Sequence, residues 1–231
     1  MRVLRIGPHV VQLSGGFFSA YLVHEADGWT LVDGGPPGQA AALQAAIAGL
    51  GGRLRRVTLT HAHSDHVGSL EALMAAVPGT ELALGAREAR LLAGQWEALP
   101  GEPAGRLRGY ARLDIDAGRL LHESDRLGSL QAISTPGHTP GHLALLDQRD
   151  GTLIAGDALF TLGGLAVAGT YRLGFCLPSL ATWNRPLALQ SARHLAELEP
   201  SRIASGHGPV LSAPGHQLAR AIERLARQLG G

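Results

Sequence analysis

The sequence predicts an α/β fold in which two β-sheets pack face to face with helices on the outside. Two observations lead there. A run of short β-rich segments ends in a helix, and that order recurs once further along the chain. Hydrophobic residues make up 45% of the 231 positions, enough apolar material for a large core, and at this length a single domain spanning residues 1–231 is expected.

Element by element, Val3 to Ile6, Val10 to Leu13 and Phe18 to His24 read as strands, and Trp29 to Val32 follows the polar turn Glu25-Ala26-Asp27-Gly28. After the breaker Gly35-Pro36-Pro37-Gly38, the Ala and Leu content of Gln39 to Leu50 predicts a helix stopped by Gly51-Gly52. Val57 to Thr60 is β-branched and apolar, and a helix is expected to run to about Val77. Glu81 to Leu84 then reads as a strand and Ala86 to Ala93 as a helix. Residues 94–109 mix Trp96 with turn formers and lack periodicity, which suits either a substrate-contacting lid or a plain surface connection. Leu113 to Asp116, Leu130 to Ser134, His142 to Leu146 and Thr152 to Ala155 read as a second set of strands. Helices return at Leu180 to Leu198 and at Ala213 to Leu229, the latter with Ser212 as expected N-cap and Pro214 in its first turn.

The most informative run is His61-Ala62-His63-Ser64-Asp65-His66, placed between a strand and a helix. Three imidazoles and a carboxylate in six residues concentrate metal ligands of nitrogen and oxygen type. Imidazole binds metal as the neutral base, and its pKa near ~6.5 leaves it available at neutral pH. Further candidates follow in short motifs of their own: Asp33 in Leu31-Val32-Asp33-Gly34-Gly35, His138 in Thr135-Pro136-Gly137-His138, Asp157 in Ala155-Gly156-Asp157, and His207 in Ser205-Gly206-His207-Gly208. In this order and across this span the motifs resemble those of the metallo-β-lactamase superfamily of binuclear metal hydrolases.

The resemblance implies the four-layer αββα sandwich and two divalent metal ions, zinc by default, with iron or manganese also suited to such ligands. It implies that His61, His63 and His138 hold one ion, that Asp65, His66 and His207 hold the second, and that Asp157 bridges. Asp33 and His142 are expected beside the site as supporting residues, with Asp33 fixing a ligand tautomer. A water shared by two cations ionises near neutral pH and attacks a carbonyl carbon, with Asp65 or Asp157 orienting it and moving its proton. Related lactonases use a tyrosine beyond the bridging aspartate; Tyr171, the sole tyrosine downstream of Asp157, is the candidate, and Arg172 beside it is a candidate for an acidic substrate group.

Composition narrows the function classes. The formal charge is +1, every basic side chain is Arg, and no basic run exists to grip phosphates, so no nucleic-acid partner is expected. Lone Cys176 excludes an internal disulfide and stands in no nucleophile motif. No secretion signal and no membrane span is visible, so a cytoplasmic protein with a small-molecule substrate is expected, compatible with a homodimer. Among superfamily chemistries, flavin-linked oxidoreductases, clamping nucleases and the larger glutathione thioesterases need segments not seen here. Ester-type substrates remain, lactones or thioesters first. A mononuclear iron oxygenase of the sulfur dioxygenase type, a β-lactam hydrolase and a non-catalytic binding member are the alternatives.

Overall fold

The computed structural model describes residues 1–172 and 177–230; Cys176 lies outside the described residues. Seven strands form the first sheet in chain order: β1 (Arg2–Arg5), β2 (Val10–Gly15), β3 (Phe18–Glu25), β4 (Gly28–Val32), β5 (Leu54–Leu59), β6 (Glu81–Gly85) and β7 (Arg119–Leu121). Pairing is antiparallel from β1 to β4 and parallel from β4 to β7. The parallel half needs crossovers, which α1 (Ala40–Leu50), α2 (Ser64–Val67), α3 (Leu70–Ala76) and α4 (Ala86–Leu92) help supply.

In the second half come β8 (Arg126–Leu127), β9 (Leu130–Ser134), β10 (Leu143–Asp147), β11 (Thr152–Gly156) and a hairpin of β12 (Leu159–Phe160) with β13 (Ala166–Val167). They are followed by α5 (Leu177–Ala181), α6 (Arg185–Glu197), β14 (Arg202–Ser205), β15 (Leu211–Ser212) and α7 (Gly215–Gln228). The second sheet has the order β15-β14-β11-β10-β9-β8, parallel only between β14 and β11.

Burial explains the layers. Both faces of the central strands are apolar, so each sheet must be covered on both sides. Tyr21 and Val23 of β3 point between the sheets and meet Leu130, Leu143, Leu145 and Ile154, whereas Ala20 and Leu22 point the other way, into a core shared with helices α1, α3 and α4. Leu153 and Ile203 turn outward onto Ala188, Leu195, Leu218 and Leu225 of α6 and α7. The result is helix, sheet, sheet, helix, the four-layer sandwich expected.

The two sheets are stitched at one end. Ser19 N donates to Gly206 O at 2.8 Å, the Tyr21 hydroxyl to Ser205 O at 2.6 Å, and Leu143 N to Thr60 O at 2.9 Å. With Gly206 N donating to Gly156 O at 2.9 Å, these bonds bring the loops after β5, β11 and β14 together.

Several expected elements are corrected. Leu113 to Asp116 forms no strand. Leu113 N donates to Leu92 O, and Leu113 and Ile115 pack on the first core as an irregular segment, while the edge strand falls later, at β7. The helix after the histidine run is broken at Gly68, where a Cβ would lie 2.3 Å from Pro37 Cδ: the Pro-Pro turn presses too close for any side chain. The long helix from Leu180 is split before Asn184, whose side chain caps α6 by accepting from Leu187 N at 2.9 Å, with Pro186 in the first turn. Ser212 caps nothing; it ends in β15, and α7 starts after Pro214 with no side-chain cap. Asn184→Ala is expected to lower stability by about 1 kcal/mol in urea unfolding, with the slope unchanged.

Candidate metal centre

The stitched end assembles the histidine run and the later motifs. His61 and His63 follow β5; Asp65 and His66 lie in the single turn of α2; His138 follows β9, Asp157 follows β11 and His207 follows β14. A strand end is a rigid mount, so each loop projects its ligand from the sheets into one space. All seven side chains proposed as ligands converge there. Ligand atoms of His61, His63 and His138 lie within 4.8 Å of one another, as do those of His61, His66 and Asp157 and those of Asp65, His66 and His207.

Asp157 stands between the two halves. Its Oδ2 is 3.5 Å from His138 Nε2 and 3.3 Å from His207 Nε2, and its Oδ1 is 3.3 Å from His66 Nε2. Asp65 Oδ2 is 3.3 Å from His207 Nε2, and His138 Nε2 faces His63 Nδ1 at 3.0 Å. Gly206 makes this packing feasible: a Cβ there would lie 2.3 Å from Asp157 Oδ1.

Whether these residues suit a metal is decided by their unused atoms. His61 Nε2, His66 Nε2 and Asp157 Oδ1 are fully buried and have no hydrogen-bond partner. Buried polar atoms are rarely left so, and here they are aimed at one another. The mixed imidazole and carboxylate donors match zinc, iron or manganese. The residues therefore fit divalent metal binding.

The atoms on the far side of each ring hold its tautomer. His66 Nδ1 donates to Asp33 Oδ2 at 2.8 Å, leaving Nε2 free to ligate. Thr60 Oγ1 donates to Asp33 Oδ2 at 2.9 Å and so accepts from His61 Nδ1 at 3.1 Å. His207 Nδ1 donates to Phe17 O at 2.5 Å. Asp33 is thus the hub for two ligand rings, and it sits at φ +65°, a backbone state unusual outside glycine that clusters at functional sites. His142 is no ligand: its Nε2 accepts from Asp157 N at 3.1 Å and its Nδ1 contacts Thr135 Oγ1 at 2.7 Å.

Electrostatics divide the centre. Burial drives His61 and His138 well below the ordinary imidazole range and His63 down to about 4, so these three rings are neutral at pH 7. Burial alone would lower His66 and His207 too, but Asp157 outweighs it, raising His66 well above its usual value and His207 to about 10. Asp157 is held well below the carboxylate range, burial being overcome by His207 and His66, and Asp65 falls to about 2 for the same reason. Metal binding at the second half would displace protons from His66 and His207.

Glu88 was not foreseen. Its carboxylate is buried at 1% exposure behind the first half. Oε1 accepts from Thr139 Oγ1 at 2.7 Å and Gly141 N at 2.9 Å, and Oε2 accepts from Ala62 N at 2.8 Å. One side chain therefore ties the His61–His63 loop to the His138 loop. The signal was available in Ala86-Arg87-Glu88-Ala89-Arg90-Leu91-Leu92: Glu88 shares a helix face with Leu91 and Leu92, the buried stripe. Glu88→Ala is expected to reduce metal content or affinity about 10- to 100-fold, read by metal analysis after dialysis against a chelator series, with Glu88→Gln intermediate.

An open cleft of about 560 Å³ lies over the cluster, its floor formed by Asp65, His138, Asp157 and His207. Phe160 stacks on His207 with centroids 5.7 Å apart and meets His138 edge-on at 5.9 Å. Phe17, Leu162 and Leu180 form further apolar walls, and Arg108 is the one arginine among the described lining residues. The 94–109 segment is fastened: Arg87 Nε and Nη2 donate to Glu102 at 2.6 and 3.0 Å, and Nη1 donates to Gln95 O at 3.2 Å. Its far end reaches the cleft through Arg108 and Gly109.

Tyr171 is not brought to the cluster. It is 57% exposed, its N–H and C=O are bound by the Gln228 amide at 2.8 Å each, and it does not line the cleft. Tyr110 stands at the site instead, its ring 4.8 Å from that of His63. Arg172 also lies outside the cleft lining, its guanidinium donating to the carbonyls of Leu162, Gly163 and Leu165.

Comparison with known proteins agrees with the geometry. The chain is 41% identical over 211 residues to the uncharacterized protein YobT of Bacillus subtilis (strain 168), covering 90% of this chain and 91% of that one. It is 36% identical over 147 residues to a hydroxyacylglutathione hydrolase of Methylococcus capsulatus, an alignment covering 62% of this chain and about half (48%) of that relative. Among solved structures, TTHA1623 in a di-iron-bound form is 26% identical with a TM-score of 0.64, covering 96% of this chain and 98% of that one. The BLEG-1 B3 metallo-β-lactamase is 25% identical with a TM-score of 0.66, covering 90% and 95%. The family model of the metallo-β-lactamase superfamily matches residues 14–207, a span holding every ligand position described above, and the chain belongs to that superfamily.

Proposed function

We propose that this protein is a metal-dependent hydrolase of ester-type carbonyl compounds, with thioesters and lactones as the preferred classes. The observation that carries this reading is the convergence of buried, partnerless ligand atoms on the floor of a largely apolar cleft. A divalent pair bound there, zinc in the first instance and iron or manganese as alternatives, supplies Lewis-acid polarisation and lowers the pKa of water. The chain's own residues do the rest. Asp157 and Asp65 are ionised at neutral pH and present acceptor oxygens to the same space. Asp65, whose side chain is 46% exposed, is the group placed to take a proton from attacking solvent and deliver it to the departing alkoxide or thiolate. Phe160 shields two ligand rings from bulk water, and Asp33 and Glu88 keep the loops in place.

Similarity to proteins named hydroxyacylglutathione hydrolase supports the thioester preference. The second ligand group, Asp65 with His66 and His207, supports a binuclear hydrolase over a mononuclear iron oxygenase. A small-molecule substrate and a cytoplasmic location belong to the same reading; no helix among the described residues is long and apolar enough to cross a membrane. The test is metal quantification of the purified protein paired with a panel of lactones, glutathione thioesters, β-lactams and phosphodiesters. Turnover of a thioester or lactone that vanishes on chelation and returns with added metal is expected. Full activity after exhaustive chelation overturns the proposal.

A further inference from the structure

A second concavity, of about 350 Å³, lies between the loop joining β12 to β13 and the exposed face of α7. It shares no lining residue with the metal cleft. Arg172, Arg220 and Arg224 line it together with Gln217, and no acidic side chain does. Arg220 and Arg224 stand four residues apart on one helix, a spacing at which like charges repel. The intervening Glu223 pairs with Arg227 at 3.6 Å. Among the described residues, none of the three arginines has a carboxylate within 4.0 Å.

Arg172 is the half-buried member, whereas Arg220 and Arg224 are exposed. Nη1 donates to Leu162 O at 3.2 Å and Gly163 O at 3.3 Å, and Nη2 donates to Leu165 O at 2.7 Å, all neutral acceptors. Its Nε is buried and has no partner. Burial and then the neighbouring charge of Arg224 lower its pKa, as expected for cations that share a concavity without a counter-charge. Three positive groups exceed what one carboxylate balances, since a carboxylate offers two oxygens to one guanidinium fork. A tetrahedral dianion offers more acceptors and twice the charge.

We propose that Arg172, Arg220 and Arg224 form a binding site for a phosphate-type dianion, either free phosphate or the terminal phosphate of a small metabolite. The site does not depend on the hydrolase reading. A nucleic acid does not suit it, because the basic cluster is local and the whole chain carries a formal charge of only +1.

The test uses the metal-loaded full chain and arginine modification by phenylglyoxal, mapped by peptide mass spectrometry at constant ionic strength. Inorganic phosphate at ten times its Kd is expected to slow modification of Arg220 and Arg224 about tenfold and to leave exposed Arg193 unchanged. Equal protection by glycerol phosphate points to a terminal phosphate as the natural ligand, and protection by inorganic phosphate alone points to the free ion. Absent protection, or the same protection at Arg193, overturns the proposal. Because phosphate also binds divalent metals, the double variant R220Q/R224Q is the second arm. It is expected to keep its basal hydrolysis in chloride buffer and to lose the phosphate-induced rise in unfolding temperature. A double variant that retains the full rise places the anion at the metal centre and sinks the inference.

Discussion

Asp157→Asn is expected to lower kcat/KM for the best ester-type substrate by about 1,000-fold, corresponding to several kcal/mol of lost stabilisation of charge in the transition state. The reason is positional. Among the described residues, Asp157 is the one carboxylate within 3.5 Å of all three of His66, His138 and His207, so it is the group proposed to serve both halves of the centre. Asparagine keeps the size but removes the negative charge, and its NH₂ group finds cationic or ligand nitrogen neighbours that cannot accept from it. The backbone bond from residue 157 N to His142 Nε2 survives the change, so the fold is expected to persist. Steady-state kinetics with metal analysis and a thermal melt check all three statements. Unchanged kcat/KM at full metal content would remove Asp157 from its proposed bridging role.

Asp33→Ala is expected to show the largest loss of stability, about 3–5 kcal/mol, with a further 10- to 100-fold fall in metal affinity or turnover. Asp33 is 2% exposed and accepts from Thr60 N at 2.8 Å, Thr60 Oγ1 at 2.9 Å and His66 Nδ1 at 2.8 Å. Alanine leaves those buried donors without an acceptor, and each hydrogen bond to a charged group contributes about 1.5–3 kcal/mol. His66 loses the bond that fixes its tautomer, and His61 loses it at one remove through Thr60. Urea unfolding of the loaded protein measures the first effect and a metal titration the second. A variant as stable as the parent would show that the Asp33 network contributes nothing net.

These two residues also mark how far the sequence can be read. Asp157 and the six other proposed ligands were legible because they fall in four short motifs that each follow a strand, where local spacing already suggests a mount. Asp33 was legible as a supporting group. Which ring it holds was not, since its bond to His66 spans 33 residues; the bond that holds the His207 ring, to Phe17 O, spans 190. Glu88 is legible as part of the helix face it shares with Leu91 and Leu92, but that it joins two loops is not, because those loops come from remote parts of the chain.

Misreadings have the same origin. Leu113 and Ile115 alternate as a strand does, yet they anchor an irregular segment to the first core because β7 takes the place beside β6. Tyr171 follows Asp157 in the sequence, but the chain carries it to the end of α7, while Tyr110, upstream, contacts His63. The arginine cluster could not be seen at all, because Arg172 meets Arg220 and Arg224 only after α7 folds back over the second sheet.

The amino-acid order by itself determined the kinds of donor available, the strand ends that carry them and the alternation that makes two covered sheets, because ligand chemistry and side-chain periodicity are local properties. Only the tertiary structure decided which ring nitrogen faces the centre, which groups hold each ring and which charges are left without partners. Those outcomes depend on hydrogen bonds and packing between segments remote in the chain, and no local pattern encodes them.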